Sequence, residues 1–296
     1  MEENRHLAFT DSLTLLPNRR FFFQSLEETL EARGASGEPF ALAILDLDRF
    51  KPINDTHGHL VGDRVLVDWA MRYGRPAIAD GLQAMKDAGC ERILLAPLYP
   101  QYCAATTATA NDKAFAHLAT LRWQPAIRTL PPYHDDARYI AALKASVERS
   151  LAALPFAPDA IVASFHGMPK RTLELGDPYH CHCQKTARLL SHALGRELIV
   201  AFQSRFGPAK WLGPPTDEVL VELARAGKKK VAIFAPGFSA DCLETLEELA
   251  IRGRESFEEA GGTDFAYLPC LNDEDVGVAM LRDILGTELE GWVPKP

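Results

Sequence analysis

The sequence predicts an α/β protein whose strands lie in parallel sheets. Short apolar runs, each of the length of a buried strand, recur along residues 67–296. Amphipathic stretches of helical length, such as "TARLLSHALG" and "TDEVLVELARAG", separate most of these runs. Because parallel strands are joined by crossover connections, this alternation predicts parallel sheets with helices on both faces.

Six runs are predicted as strands, and polar or aromatic residues follow them. The runs are residues 92–100, 126–133, 160–167, 197–205, 230–238 and 265–273. Their carboxyl ends carry Tyr99 to Tyr102, His166 and Gly167, Gln203 to Arg205, Gly237 and Phe238, and Asn272 and Asp273. Core packing does not require such residues there, whereas open α/β sheets bind ligands at this edge. A binding site is therefore predicted at the carboxyl edge.

Length and composition are those of an ordinary soluble globular protein. The 296 residues are 47% hydrophobic and 24% charged, and the net charge of −8 argues against a nucleic-acid partner. The N-terminal residues have no apolar core of the signal-peptide kind, and no apolar run approaches the length of a membrane span. The six cysteines are too scattered for a disulfide framework, which predicts a cytoplasmic protein. The lack of a long apolar run predicts that the protein has no integral membrane segment. Peripheral membrane association is left open.

Residues 1–66 read as a helix, a buried strand and the start of another helix. The helix spans 11–34, with Asp11 as the N-cap, and the strand spans 40–46. Asp46 and Asp48 stand at the carboxyl end of the strand. Two carboxylates there could hold Mg²⁺ beside a phosphate, or they could simply face solvent at the end of the strand.

The motifs "DSLTLLPNRRF", "LDLDRFKPINDTHGH" and "GDRVL" resemble the first part of a GGDEF, or diguanylate cyclase, domain. The resemblance implies Asp46 as a metal ligand, Lys51 as a phosphate contact, and Asn54 and Asp63 as guanine contacts. Leu15 stands where the family has glycine, and the signature hairpin never follows; "GGTDF" at 261–265 is a chance match. This partial segment is therefore predicted to be a vestigial nucleotide site without cyclase activity.

His166 is the sharpest candidate for chemistry in the second segment. It follows the apolar strand "AIVASF", and a histidine there is either a hydrogen-bonded structural residue or a functional one. In "DCLETLEEL", a helix starting at Asp241 would put Asp241, Glu244 and Glu248 on one stripe. Such a stripe is either a solvated face or, with a neutral imidazole opposite, a site that binds a divalent metal or accepts protons.

The motifs "MRYGRP", "LYPQY", "SFHGMP", "GDPYHCHCQKT", "FQSRFG", "WLGPPTDE" and "GFSADCLETLEEL" occur in order. They resemble the ferrochelatase family from about residue 68 nearly to the end of the chain. The resemblance implies a chelatase-like pair of Rossmann-like lobes that hold protoporphyrin IX between them. It implies insertion of Fe²⁺, the metal substrate, to form protohaem in haem biosynthesis, with no organic cofactor.

The resemblance also assigns roles to individual residues. His166 becomes the proton acceptor and a metal ligand, with Glu244 as its catalytic partner and Glu248 as the continuation of an acidic path for the metal. Asp241, from the acidic stripe, is added to the predicted metal ligands. Arg252 replaces a further acid of the family, and Cys242 stands where some relatives have histidine. The resemblance implies Arg72 as a propionate contact and Tyr73, Trp211 and Phe238 as residues that pack on the macrocycle. Tyr102 and Arg205, which follow predicted strands, complete the predicted substrate-binding residues.

The segment "HCHC" at 180–183 combines four residues that can bind metals. Adjacent side chains cannot all reach one tetrahedral centre, and no second cysteine pair follows. A [2Fe–2S] cluster is therefore not expected, and Cys181 and Cys183 are interpreted as ordinary cysteines.

The sequence changes family between Arg64 and Met71 without a Pro/Gly/Ser linker. The predicted organisation is a partial GGDEF-like segment (1–66), a truncated N-terminal lobe (67–155) and a C-terminal lobe (156–296). Ferrochelatase is the predicted function because His166 and Glu244 are both present. The alternatives are a nucleotide-binding or regulatory module derived from the GGDEF segment, and an inactive fusion of two fragments.

Overall fold

Six parallel strands form the frame of residues 66–292, the part of the chain that the computed structural model describes. They are β1 (Arg92–Leu95), β2 (Ala126–Thr129), β3 (Ala160–His166), β4 (Ile199–Gln203), β5 (Lys230–Phe234) and β6 (Asp264–Tyr267). Each strand overlaps one predicted run, which confirms the predicted α/β class. The helix and strand predicted before residue 66, together with Asp46, Lys51, Asn54 and Asp63, lie outside the described residues.

All six strands are shorter than the apolar runs that predicted them, and four of them end at least four residues early. β1, β2, β5 and β6 each end two residues before a proline, namely Pro97, Pro131, Pro236 and Pro269. Proline has no N–H to donate to the neighbouring strand and also restricts the residue before it. The chain therefore leaves the sheet early, and the rest of each apolar run forms the loop at the carboxyl edge.

Eight α-helices and two π-helices connect the strands within residues 66–292. The α-helices are α1 (Ile78–Asp87), α2 (Thr109–Leu118), α3 (Ala137–Ala152), α4 (Lys170–Glu174), α5 (Tyr179–Leu194), α6 (Thr216–Arg225), α7 (Arg254–Glu259) and α8 (Asp275–Glu288). The π-helices are π1 (Ala104–Ala108) and π2 (Glu244–Gly253). The two stretches predicted as amphipathic helices fall in α5 and α6.

The larger sheet has the order β4-β3-β5-β6 and is covered on both faces. Along β3, Ile161 and Ala163 pack into one hydrophobic cluster, whereas Val162 between them packs into the other. Helices α3, α5 and α8 contribute to the first cluster, and α6, π2 and α7 contribute to the second. Successive side chains of a strand point to opposite faces, so an uninterrupted apolar strand supplies both layers.

The smaller sheet consists of β1 and β2 among the described residues. Ile93 packs with Leu82, Ala114 and Leu118 of helices α1 and α2. The chain after α8 returns to this sheet, where Arg92 and Arg128 donate hydrogen bonds of 3.0 Å to the carbonyls of Trp292 and Glu290. In residues 66–292, no helix is both long and apolar enough to span a bilayer.

Candidate active site

His166 and Gln203 end two neighbouring strands at the carboxyl edge of the larger sheet. The register of β3 and β4 places them side by side, and β5 ends on the other side of β3. The loop after β5 brings Phe238 to this edge, and its ring centroid lies 6.4 Å from that of His166. The predicted site edge therefore exists, and it gathers side chains from separate strand ends.

The imidazole of His166 is held by the residue that follows it. His166 Nδ1 lies 2.7 Å from the carbonyl oxygen of Gly167, which can only accept a hydrogen bond. Nδ1 therefore carries the proton in the neutral ring, and Nε2 presents a lone pair. Tyr179 also donates a 3.0 Å hydrogen bond to the backbone carbonyl of His166. A half-buried histidine in this tautomer is suited to accept a proton at Nε2.

Gly167 allows an unusually close approach of β3 and β4. Its N–H donates a 2.7 Å hydrogen bond to the carbonyl of Gln203. A Cβ at this position would lie 2.4 Å from the same carbonyl oxygen and 3.4 Å from Cε3 of Trp211. Only glycine fits at such a distance, and the indole of Trp211 therefore packs directly beside the histidine loop.

The acidic segment forms a π-helix, not the α-helix expected from the sequence. Glu244 is the first residue of π2, and Arg252 pairs with Glu247, five residues earlier, as the i→i+5 spacing of a π-helix favours. π-helices are rare in proteins, and those that occur are often found at functional sites. The predicted stripe at i, i+3 and i+7 is therefore wrong, because Asp241 precedes the helix.

Asp241 stabilises the turn that leads into π2. One carboxylate oxygen accepts hydrogen bonds from the hydroxyls of Tyr267, at 2.6 Å, and Thr245, at 3.1 Å. The other accepts a 2.7 Å hydrogen bond from the side-chain amide of Asn272. The structure therefore separates Asp241 from Glu244 and engages both its oxygens, and a role in metal binding stays a prediction.

Glu244 is held at both its backbone and its carboxylate. Its carbonyl accepts a 2.8 Å hydrogen bond from Nε2 of Gln203, and Oε2 lies 3.0 Å from Sγ of Cys242. Burial, followed by the Glu244 charge, raises the pKa of the Cys242 thiol. The thiol therefore stays protonated and donates to the carboxylate.

Glu248 lies one turn further along π2 and binds the end of β4. Its two carboxylate oxygens accept hydrogen bonds from the N–H and hydroxyl of Ser204, at 2.6 and 2.5 Å. Ser204 has a φ of 59°, a conformation uncommon for residues other than glycine. Gln203 therefore anchors Glu244, and Ser204 anchors Glu248.

Tyr99 brings the loop after β1 into the electrostatic range of the acidic segment. Burial raises the pKa of its phenol to about 12, the charge of Arg72 opposes this, and the charge of Glu244 adds to it. Its hydroxyl and Nε of Arg72 are buried without a hydrogen-bond partner among residues 66–292. The Tyr99 hydroxyl and Nε of Arg72 are therefore two polar atoms to which a ligand could form hydrogen bonds.

The other predicted substrate-binding residues already interact with neighbouring residues of the protein. The buried guanidinium of Arg72 donates to the carbonyl of Ala105 and to the Thr109 hydroxyl, and it covers the ring of Tyr73 at 4.3 Å. The exposed Arg205 forms ion pairs with Asp217 and Glu218 in α6. The backbone N–H of Tyr102 donates a 3.2 Å hydrogen bond to Nδ1 of His182.

The side chains of residues 180–183 enter different surroundings on helix α5. Cys181 is exposed, whereas Cys183 is fully buried. The ring of His180 stacks on Phe202, and His182 stacks on His134 with ring centroids 3.5 Å apart. Within residues 66–292, no group of three histidine, cysteine, aspartate or glutamate side chains is arranged to hold a metal ion.

Sequence reasoning did not assign roles to Gln203, Tyr99 or Ser204. All three belong to the strand-end segments "FQSRFG" and "LYPQY". Their position at the carboxyl edge was the available signal, but their partners lie tens of residues away in the chain and are not encoded in local spacing.

Two family models match the chain. The ferrochelatase model matches residues 53–289, and the model for the diguanylate cyclase GGDEF domain matches residues 8–76. The matches overlap over residues 53–76, which include the junction predicted from the sequence.

Curated relatives of the chain are ferrochelatases. The ferrochelatase of Rhizobium meliloti strain 1021 is 58% identical over 233 residues, covering 78% of this chain and 69% of the relative. The ferrochelatase of Agrobacterium fabrum strain C58 is 57% identical, covering 77% of this chain and 67% of the relative. That of Bradyrhizobium diazoefficiens is 51% identical, covering 78% and 68% of the two chains.

Among solved structures, the chain is similar to SirB from Bacillus subtilis with Fe³⁺. The TM-score is 0.54 at 14% identity, and the match covers 74% of this chain and 82% of that one. At this level of identity the similarity concerns the fold alone.

Proposed function

The chain belongs to the ferrochelatase family, whose members insert Fe²⁺ into protoporphyrin IX in haem biosynthesis, and we propose that His166 and Glu244 carry out the insertion. One observation supports this assignment most strongly. The hydrogen bond from Nδ1 of His166 to the Gly167 carbonyl leaves Nε2 as a proton acceptor at the ligand-binding edge of the sheet. Porphyrin metallation releases two N–H protons, so the reaction needs such an acceptor.

Glu244 supplies the negative charge that the metal substrate requires. Fe²⁺ must lose water as it enters the macrocycle, and a carboxylate offsets part of that cost. The protonated thiol of Cys242 donates to one oxygen of Glu244 and thereby orients the carboxylate. Glu248, which is bonded to Ser204, has a secondary role along the same helix.

Aromatic side chains provide the surface for the flat macrocycle. Trp211 packs beside Gly167, and Phe238 lies beside the imidazole of His166. The faces of such rings bind a large apolar ligand through its hydrophobic area. Tyr73 and Tyr102 stay predicted contacts of the substrate.

The propionates of the porphyrin are the natural partners of an arginine. Arg205 is exposed and already binds the carboxylates of Asp217 and Glu218, so a propionate would exchange with one of them. The unpartnered Nε of Arg72 and the Tyr99 hydroxyl are further candidate donors.

The remaining features of the proposed function concern cofactor and location. Cys181 and Cys183 are not proposed to hold a [2Fe–2S] cluster, because one is exposed and the other is buried on the same helix. All six cysteines are free, which supports a reducing compartment, and we place the protein in the cytoplasm. Peripheral membrane association and the absence of a nucleic-acid partner stay predictions.

Substitution of the two central residues tests the proposal. We expect His166→Ala to lower the rate of Zn²⁺ or Fe²⁺ insertion by about 10²–10⁴, the usual contribution of general-base catalysis. Glu244→Gln should impair insertion more than porphyrin binding, and Glu248→Gln should have a smaller effect. Cys181→Ser, on the exposed side of α5, is the control that should stay near wild type. Loss of activity in Cys181→Ser with retention in His166→Ala would place the site around residues 180–183 instead.

A further inference from the structure

Gln203 is a buried glutamine whose side-chain amide forms hydrogen bonds at both its oxygen and its nitrogen. Its side chain is 2% exposed at the end of β4. Oε1 accepts a 2.9 Å hydrogen bond from the hydroxyl of Ser164, and Nε2 donates a 2.8 Å hydrogen bond to the carbonyl of Glu244. The position of this amide is therefore determined from both ends.

The orientation of the amide is fixed by the chain of groups behind it. The Ser164 hydroxyl has one proton, which it donates to Gln203, so the Thr216 hydroxyl at 2.8 Å donates to Ser164. The Glu244 carbonyl can only accept, and it requires the NH₂ end of the amide. Ser164 and Thr216 are also buried, so an unsatisfied group among these three side chains would be destabilising.

The backbone of Gln203 reaches the other half of the site. Its carbonyl accepts the 2.7 Å hydrogen bond from Gly167 N–H, and the Gly167 carbonyl in turn holds Nδ1 of His166. One residue therefore connects the histidine loop, through its main chain, to the first residue of π2, through its side chain. Among residues 66–292, no other hydrogen bond from a side chain reaches the Glu244 carbonyl.

We propose that Gln203 is a positioning residue that sets the location of the Glu244 carboxylate relative to the His166 imidazole. This inference rests on the proposed function of those two residues. Gln203 does not touch the reacting atoms, and it acts by anchoring the start of π2 to the end of β4. A displacement of about 1 Å in a catalytic group can lower a rate by about 10²-fold.

The substitution Gln203→Met tests the inference, because methionine keeps the length and flexibility of the side chain but removes both hydrogen bonds. We expect kcat for metal insertion to fall by about 10–100-fold, while the KM for porphyrin changes by less than about twofold. Hydrogen exchange of the backbone amides of π2 should become faster in Gln203→Met, because the Glu244 carbonyl is no longer anchored to β4. In a Glu244→Gln background, Gln203→Met should add little further loss, since the positioned charge is already absent.

Thr186→Val is the matched control. Thr186 is fully buried in α5, and its hydroxyl likewise makes two hydrogen bonds, to the His134 carbonyl and from Gln101. It should lose thermal stability as Gln203→Met does, but keep kcat and the hydrogen-exchange rates of π2. Should Gln203→Met not fold, Ser164→Ala removes only the group that orients the amide, and it should show the same changes to a smaller extent.

The outcomes separate the inference from the function on which it rests. An unchanged kcat and unchanged hydrogen exchange of π2 in folded Gln203→Met would overturn the positioning role, as would full additivity with Glu244→Gln. If the wild-type protein inserted no metal, the proposed function would fail. Hydrogen exchange would then decide the inference alone: faster exchange in π2 of Gln203→Met, but not of Thr186→Val, supports positioning, and unaltered exchange rejects it.

Discussion

Replacing Gly167 by alanine tests the close approach on which the geometry of the site depends. The new Cβ would lie 2.4 Å from the carbonyl oxygen of Gln203, about 1 Å inside ordinary van der Waals contact. Trp211 already lies at contact distance on another side, so the methyl group has little freedom to avoid the carbonyl. We expect β3 and β4 to separate at this point.

The structure gives the approximate size of the effect. A separation of about 1 Å would stretch the 2.7 Å hydrogen bond between Gly167 and Gln203 beyond useful length. The unsatisfied groups would cost about 1–3 kcal/mol, and overpacking would add about 1–3 kcal/mol. The lower chain entropy of unfolded alanine offsets about 0.5–1 kcal/mol. The net loss of about 1–5 kcal/mol corresponds to a decrease in Tm of roughly 2–20 °C in a protein of this size.

Thermal unfolding followed by circular dichroism, at one scan rate for all variants, measures this loss. Gly286→Ala is the control, because no atom lies within 4 Å of its Cβ in the last turns of α8. Alanine in a helix is favoured over glycine by about 0.5–1 kcal/mol, so this variant should be as stable as wild type or slightly more stable. A Gly167→Ala variant that unfolds within about 2 °C of wild type would refute the described contact between the two strands.

Three further predictions concern substrate binding, pH and the N-terminal segment. Protoporphyrin should quench tryptophan fluorescence, and Trp211→Ala should shift the titration to higher porphyrin concentration; superimposable curves would remove Trp211 from the binding surface. Burial, followed by the charge of His182, lowers the pKa of His134 from 6.5 to about 4. The unfolded chain therefore binds more protons between these values, and the free energy of unfolding should decrease by about 2 kcal/mol from pH 7 to pH 5. Urea titrations at several pH values should show this decrease in the free energy of unfolding in wild type and a smaller decrease in His134→Phe. Equal decreases would contradict the lowered pKa of His134. Residues 1–66 lack the signature hairpin, so incubation of the chain with GTP and Mg²⁺ should yield no cyclic di-GMP, and detection of that product would reverse the interpretation of the segment.

Local patterns in the sequence were sufficient to predict the α/β class and the edge that carries the site. Strand periodicity and helix amphipathicity are properties of neighbouring residues, and all six predicted strands of residues 66–292 are present. The carboxyl edge of a parallel sheet is a general binding position, so His166 could be selected from its place after an apolar run. The ordered motifs also identified the ferrochelatase family, which the family model and the curated relatives bear out.

Only the tertiary structure determined which of the predicted residues meet. Asp241 and Glu244 are three residues apart, yet Tyr267 and Asn272 bind the first whereas Gln203 and Cys242 hold the second. The π-helix that separates their roles is not encoded in the α-helical spacing from which the acidic stripe was predicted. The link from Gln203 to Glu244 spans 41 residues of sequence. Hydrogen bonds of this kind depend on how strands and helices pack across the sheet, and packing is a property of the whole chain, which no local pattern contains.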